Sequence, residues 1–156
     1  MKIIIDSTIN ADRQKVFDYI VPIDLSHIFK KYKYLPGVIK TNEAEKWFKT
    51  NLTRTVFFDD GNSSQEHLTT FTNPEYFDYV VSNFTSPLRF LVNSINGSWT
   101  FTDNDSGTEI VWIYDLKPKN TIAAWIIKVF ILNDLRIFLK NSINIIRTDL
   151  ENEQLG

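Results

Sequence analysis

The stretch TIAAWIIKVFILNDLRIFLKNSINIIRTDL, residues 121–150, decides the fold because it forms one long amphipathic helix at the end of a strand-rich chain. Apolar residues recur through it at helical spacing, and Pro118 with Asn120 or Thr121 marks its start. At about 1.5 Å per residue the helix would be roughly 45 Å long. A lone helix of that length must cover a large apolar surface, which predicts an α+β arrangement on an antiparallel sheet.

The middle of the chain consists of strand-like segments joined by short turns. Asp60-Gly61-Asn62 and Asp105-Ser106-Gly107 are hairpin-turn signals, and Asn73-Pro74 and Asn96-Gly97 predict further turns. Residues 88–95 are ambiguous between strand and irregular chain. An antiparallel meander is the simplest arrangement of these segments. The strands predicted between the turns are 38–46, 49–59, 65–72, 76–84, 97–103 and 108–116.

The beginning of the chain predicts one strand and two short helices. Residues 2–8 alternate and are rich in Ile, which is typical of a strand. Apolar residues at helical spacing predict a helix over 11–21, with Asn10 as its N-cap and Pro22 after its end. A second short helix is expected over 24–29.

The composition limits the function classes. A chain of 156 residues with 43% hydrophobic and 23% charged residues is expected to form a single soluble domain over 1–156. It has no Cys, which excludes disulfides, thiolate chemistry and iron–sulfur clusters, and its net charge of −2 does not favour nucleic-acid binding. The opening residues do not form a signal peptide, so we expect a cytoplasmic protein.

The apolar stretch from Ile122 to Leu139 raises the question of a membrane. Lys128, Asp134 and Arg136 interrupt it, and centrally placed charges are costly in a bilayer. We therefore predict no stable membrane insertion. An amphipathic helix that docks on a partner or on a membrane surface stays open as an alternative.

Three blocks of sequence resemble one family. They are Asn51–Val56 with Asp60-Gly61 and Glu66–Thr69, then Pro74 with Tyr76–Tyr79, then Gly97–Phe101 with Gly107–Trp112 before the long helix. The opening, a strand followed by Asn10–Phe17, agrees. In this order they resemble the SRPBCC superfamily, and within it the polyketide cyclase/dehydrase-like, START-like and Bet v 1-like proteins.

The resemblance implies a helix-grip fold. We expect a curved antiparallel β-sheet of six to seven strands wrapped around the long C-terminal helix, with two short helices after strand 1 and a cavity between sheet and helix. Members bind lipids, sterols, hormones or polyketides, and some catalyse cyclisation or dehydration. We therefore predict binding of a small hydrophobic molecule, with a cyclase or dehydratase acting on an enolisable substrate as the alternative.

Arg54, Glu66 and Tyr79 are the candidate catalytic residues. Arg54 and Glu66 are roughly equidistant from the Asp60-Gly61 turn, so hairpin register makes them neighbours across the ladder. Three roles are open for this pair. It is a structural ion pair, an acid–base pair in catalysis, or a ligand-binding pair in which Arg54 anchors the ligand and Glu66 orients it. Tyr79 would add a hydroxyl group.

Aromatic side chains and one polar position on the helix complete the predicted ligand site. We expect the ligand to contact Arg54, Phe71, Tyr79, Trp99, Phe101, Trp112, Tyr114, Trp125, Val129 and Asn133. His27 and His67 lack carboxylates at helical spacing, so we predict no metal and no cofactor. We expect a monomer or a homodimer.

Overall fold

The structure is a computed structural model that describes residues 1–42 and 47–155. A 3₁₀ helix covers Pro87–Phe90, and a π-helical turn covers Ile127–Ile131. The helices are α1 (Arg13–Ile20), α2 (Leu25–Ile28), α3 (Thr121–Ile126) and α4 (Leu132–Leu155). The strands are β1 (Lys2–Ile9), β2 (Val38–Thr41), β3 (Thr53–Phe58), β4 (Ser63–Thr72), β5 (Tyr76–Ser82), β6 (Val92–Asn104) and β7 (Gly107–Pro118).

The described residues form one seven-stranded antiparallel sheet in the order β1-β7-β6-β5-β4-β3-β2. Consecutive strands pair from β2 to β7. The first strand, β1, pairs with the last strand, β7, and Ile5 lies opposite Trp112. The sheet curves around the C-terminal helical segment. This confirms the predicted helix-grip architecture. Part of the strand predicted over 38–46, residues 43–46, lies outside the described residues.

The turn predicted at Asn96-Gly97 is wrong, because β6 runs straight through it. Gly97 lies directly opposite Tyr79, whose ring packs over the glycine backbone. A Cβ atom on Gly97 would fall 2.6 Å from the Tyr79 hydroxyl oxygen, closer than real Cβ contacts allow. The glycine therefore serves a close approach between strands rather than a turn.

Smaller corrections concern where elements begin. Asp12, not Asn10, caps α1, since its Oδ1 accepts a hydrogen bond from the Lys15 amide at 3.2 Å. The strand predicted over 49–59 begins only at Thr53. Asn120 caps α3 as predicted, its Oδ1 accepting from the Ala123 amide at 2.8 Å. The long helix is present, but the π-helical turn interrupts it.

The part of α4 from Leu139 to Leu150 packs tightly on the concave face of the sheet. Leu139, Ile143, Ile146 and Leu150, spaced by three or four residues, are each at most 3% exposed. This spacing places them on one side of the helix. The buried Ser142 hydroxyl donates to the carbonyl oxygens of Ile28 and Phe138, which ties α2 to the same helix.

Asp149 holds α1 and α2 against α4. Its Oδ2 accepts hydrogen bonds from the Tyr19 hydroxyl and from His27 Nε2, both at 2.6 Å. These two bonds lower the pKa of Asp149 below its ordinary value of 3.8. Three helices are therefore joined at one carboxylate.

Replacing Gly97 tests the close packing against Tyr79. We expect Gly97→Ala to lower the free energy of unfolding by about 2 kcal/mol, because the new methyl group overpacks the strand pair. Chemical denaturation measures this loss, with Ser94→Ala on the same strand as a control. The loss should shrink in a Tyr79→Ala background, where the ring is gone. An equal loss in both backgrounds would contradict the packing argument.

Asp149→Asn tests the helix clamp through its pH dependence. A carboxyl with a depressed pKa adds stability that is present above 3.8 and is lost as pH falls through the folded-state pKa. We expect the variant to be about 1 kcal/mol less stable than wild type at neutral pH. This difference in the free energy of unfolding should disappear once the pH lies below the folded-state pKa of Asp149. Urea denaturation at a series of pH values measures it, with Asp18→Asn on α1 as control. A difference that stays constant with pH would refute the clamp.

Candidate ligand cavity

A cavity of about 460 Å³ lies between the sheet and the C-terminal helical segment. We call it the main cavity. The exposed residues Tyr34, Asp60 and Pro87 line its opening, which we call the mouth. Most of its other walls are apolar and come from the α2–β2 connector, the sheet and the helix, including Phe29, Leu35, Val56, Val81, Leu135 and Phe138.

The main cavity exists because the helical segment covers the sheet unevenly. The buried row of α4 that ends at Leu150 packs directly on the sheet, whereas Ile131, Leu135 and Phe138 line open space. The Phe138 ring stacks on Phe29 with centroids 5.4 Å apart. Phe29 in turn packs against Trp112 of the sheet at 5.9 Å. This aromatic contact joins the cavity wall to the packed core.

Glu66 is a carboxylate at the wall of the main cavity. Alternation along β4 points Ser64, Glu66 and Leu68 inward, and the first two line the cavity. Glu66 lies directly opposite Arg54, as predicted, and Arg54 Nε donates to Glu66 Oε1 at 2.8 Å. Both side chains are more than 90% buried. A buried carboxylate needs such a partner, because an unpaired charge is costly away from water.

Arg54 lies behind the main cavity rather than in it. Its guanidinium stacks on the Trp47 ring, with Cζ 4.2 Å from the ring centroid. Arg54 lines a second cavity of about 20 Å³, which is too small for an organic ligand. Glu66 borders both cavities. Among the described residues, Arg54 Nη1 and Trp47 Nε1 are buried without a hydrogen-bond partner.

Tyr79 also lies beside the small cavity. Its hydroxyl oxygen accepts a hydrogen bond from Trp112 Nε1 at 3.1 Å. Burial, followed by the nearby charge of Glu66, raises the pKa of Tyr79 far above its ordinary value of 10.0. The phenol therefore stays protonated at neutral pH and can donate a hydrogen bond.

Most of the predicted aromatic ligand contacts belong to the packed core. Trp99 and Trp112 stack at 4.4 Å and line the small cavity. The rings of Phe101 and Phe71 pack against the Phe17 ring, with centroid distances of 5.0 Å and 5.4 Å. Neither Phe101 nor Phe71 lines the main cavity or the small cavity. From the predicted aromatic set, Tyr114 does line the main cavity, and burial raises its pKa.

The placement predicted for Trp125, Val129 and Asn133 is wrong, because all three are exposed and none lines the main cavity. The buried side of this segment is formed by Ala123 and Ile127, four residues apart. Trp125 and Val129 therefore point away from the sheet. The apolar spacing alone does not reveal which side of such a segment is covered.

Sequence reasoning missed the walls that come from irregular chain. The connector between α2 and β2 contributes Tyr34, Leu35 and Pro36, and the 3₁₀ helix contributes Pro87 and Leu88. The available signal was apolar residues next to proline in segments that are otherwise loops. Binding residues are found disproportionately on loops that a rigid scaffold positions.

Residues 1–42 and 47–155 contain no group of three His, Asp or Glu side chains arranged to hold a metal ion. Over those same ranges, no helix combines the length and the apolar character needed to cross a bilayer.

Comparison with known proteins identifies the fold through structure. No protein-family model and no curated protein sequence matches the chain. Major latex-like protein 151 from Panax ginseng superposes with a TM-score of 0.69 at 14% identity, covering 96% of this chain and 97% of its own. Ara h 8.0201 superposes with a TM-score of 0.59 at 14% identity, covering 93% of this chain and 97% of its own.

A third similar structure is DynU16, a protein of the dynemicin biosynthetic locus. It superposes with a TM-score of 0.65 at 12% identity, covering 96% of this chain and 47% of its own. Identities this low establish the arrangement of strands and helices, not the ligand. The protein therefore has a Bet v 1-like helix-grip fold.

Proposed function

We propose that the protein binds a small, largely apolar molecule in the main cavity, with a hydrogen-bond donor of that molecule directed at Glu66. The observation that carries this proposal is an open, mostly apolar cavity of about 460 Å³ with a carboxylate in its wall. Ligand sites in proteins typically have roughly 300–1,000 Å³ and a small number of polar groups among apolar walls.

The chemistry of Glu66 supports a ligand that donates rather than accepts. An ionised carboxylate has only acceptor oxygens, and its Oε1 is already bonded to Arg54. A ligand alcohol or amine can donate to this group, whereas a ligand carboxylate would meet a like charge. The apolar walls would bind the rest of the molecule, at about 25 cal/mol for each Å² removed from water.

Catalysis of the cyclase or dehydratase kind is supported less well. It would need Arg54, Glu66 and Tyr79 to reach one substrate. Glu66 lines the main cavity, but Arg54 and Tyr79 line the small one behind it. We therefore propose an orienting role for Glu66 and a supporting role for Arg54, which holds the carboxylate in place.

Filling the main cavity tests whether it is the binding site. We expect Leu135→Trp to weaken binding of Nile red, a neutral apolar dye, by about tenfold, because the larger side chain occupies the space. Dye fluorescence in a titration measures affinity, and thermal unfolding confirms that the variant is folded. Ile4→Trp on the exposed face of β1 is the matched control. Equal affinity for Leu135→Trp and wild type would refute the site.

Competition between alkyl ligands of equal length but different headgroup tests the role of Glu66. We expect dodecanol and dodecylamine to displace Nile red about tenfold better than dodecanoate, because the carboxylate accepts a donor and repels an anion. Glu66→Gln should remove most of the preference for the amine, while its amide oxygen can still accept from Arg54 Nε.

Ser64→Ala, two residues away on the same cavity wall, keeps the carboxylate and serves as the control. It should retain the preference for the amine. The orienting role fails if Glu66→Gln and wild type rank the three competitors alike.

A further inference from the structure

Exposed apolar side chains concentrate beside the mouth of the main cavity. Nine large apolar side chains are exposed in the described part of the chain, and five of them come from the 3₁₀ helix, α3 and the π-helical turn. We call these five the mouth patch. They are Phe90, Ile122, Trp125, Val129 and Phe130, each between 54% and 73% exposed.

Hydrogen bonds hold the mouth patch at the cavity opening. The Tyr34 hydroxyl, at the mouth, donates to the Phe130 carbonyl oxygen at 2.8 Å. The Lys119 amide donates to the Leu91 carbonyl oxygen at 2.9 Å, which fixes the 3₁₀ helix beside the start of α3. Leu91 and Ile131, the neighbours of Phe90 and Phe130 in sequence, line the main cavity. The patch and the opening therefore form one continuous surface.

The π-helical turn brings the two aromatic residues of the C-terminal segment together. Trp125 and Phe130 are five residues apart, which would place them on different sides of an α-helix. Across the π-helical turn their ring centroids lie 6.0 Å apart with the planes at 85°. Their contact produces one aromatic projection on the outside of the protein.

The charges interleaved with the mouth patch are basic, although the whole chain carries −2. Arg89, Lys119 and Lys128 are exposed and alternate with the apolar side chains. Two acidic residues that flank this region have basic partners, whereas Asp60 at the mouth pairs with no basic side chain among the residues that the structure describes. Asp134 pairs with Lys33 at 2.9 Å, and Asp115 pairs with Lys117 at 2.8 Å and with the amino terminus at 3.2 Å.

We propose that the mouth patch docks the protein peripherally on an anionic bilayer, with Trp125 and Phe130 entering the interface. Aromatic rings combined with Lys and Arg are the composition that the membrane interface favours, and a basic surface complements anionic headgroups. Docking would direct the mouth towards the lipid phase, where an apolar ligand is concentrated. This last consequence rests on the proposed function, whereas docking itself does not.

Vesicle co-sedimentation of the full chain tests the docking. We expect binding to vesicles of equimolar phosphatidylcholine and phosphatidylserine at low salt, and about tenfold weaker binding to phosphatidylcholine alone. Added salt should weaken binding, since it screens the exposed lysines and arginine. The double variant Trp125→Ala, Phe130→Ala should bind about tenfold more weakly than wild type. The double variant Ile4→Ala, Ile39→Ala, at exposed apolar residues outside the patch, should bind like wild type.

Tryptophan fluorescence identifies the residue that enters the interface. Trp47, Trp99 and Trp112 are at most 4% exposed, so a blue shift on adding vesicles reports Trp125, and Trp125→Phe should abolish that shift. No binding to the anionic vesicles, or equal binding by both double variants, overturns the proposal. Self-association that the Trp125→Ala, Phe130→Ala variant abolishes, without vesicle binding, also overturns it and assigns the patch to a second copy. Nile red binding measured in parallel shows separately whether the cavity proposal stands.

Discussion

One helical segment must cover the concave face of a strongly curved sheet, and the rest of the structure depends on how unevenly it does so. Near its C-terminal end the helix packs directly against the strands through residues such as Ile143 and Ile146, which exclude water. Towards its start, Leu135 and Phe138 face open space instead. A straight rod cannot follow a curved surface along its whole length, so close packing at one end leaves a cavity at the other. Close packing and the proposed binding site are thus formed by different turns of the same helix.

The buried ion pair accounts for a polar group in an otherwise apolar cavity. Removing Glu66 from water is costly, and Arg54 offsets that cost across the strand pair at 2.8 Å. The arginine in turn stacks on Trp47. Arg54 therefore acts through Glu66: it fixes the orientation of the carboxylate without itself lining the main cavity. The residues predicted as one catalytic group divide into an inner support and a single side chain at the ligand space.

The order of elements, the strand alternation and the Arg54–Glu66 register could be predicted from the sequence, because they follow from local periodicity and from a hairpin turn of known geometry. The turn predicted at Gly97 is wrong because glycine after asparagine also suits a turn, whereas its partner Tyr79 lies on the preceding strand, β5, across a connection that contains the 3₁₀ helix. Trp125 and Val129 were misplaced for a related reason. Apolar spacing defines a helix face, but which face meets the sheet depends on packing that only the folded chain shows. The cavity walls that come from irregular chain show no periodicity, so the sequence pattern could not predict them.

The π-helical turn over Ile127–Ile131 has a consequence for how this chain tolerates changes in length. A π turn holds roughly one residue more than an α turn, and each residue of an α-helix rotates the chain by about 100°. Deleting one residue there would therefore turn the π turn into an α turn, and the helical segments before and after it would keep nearly the same phase. After a deletion between Trp125 and Phe130 the two residues would be four apart in an α-helix, a spacing that still places them on one face. The π turn is thus the place where this helical segment can lose one residue and keep both its packed face and its exposed face in position.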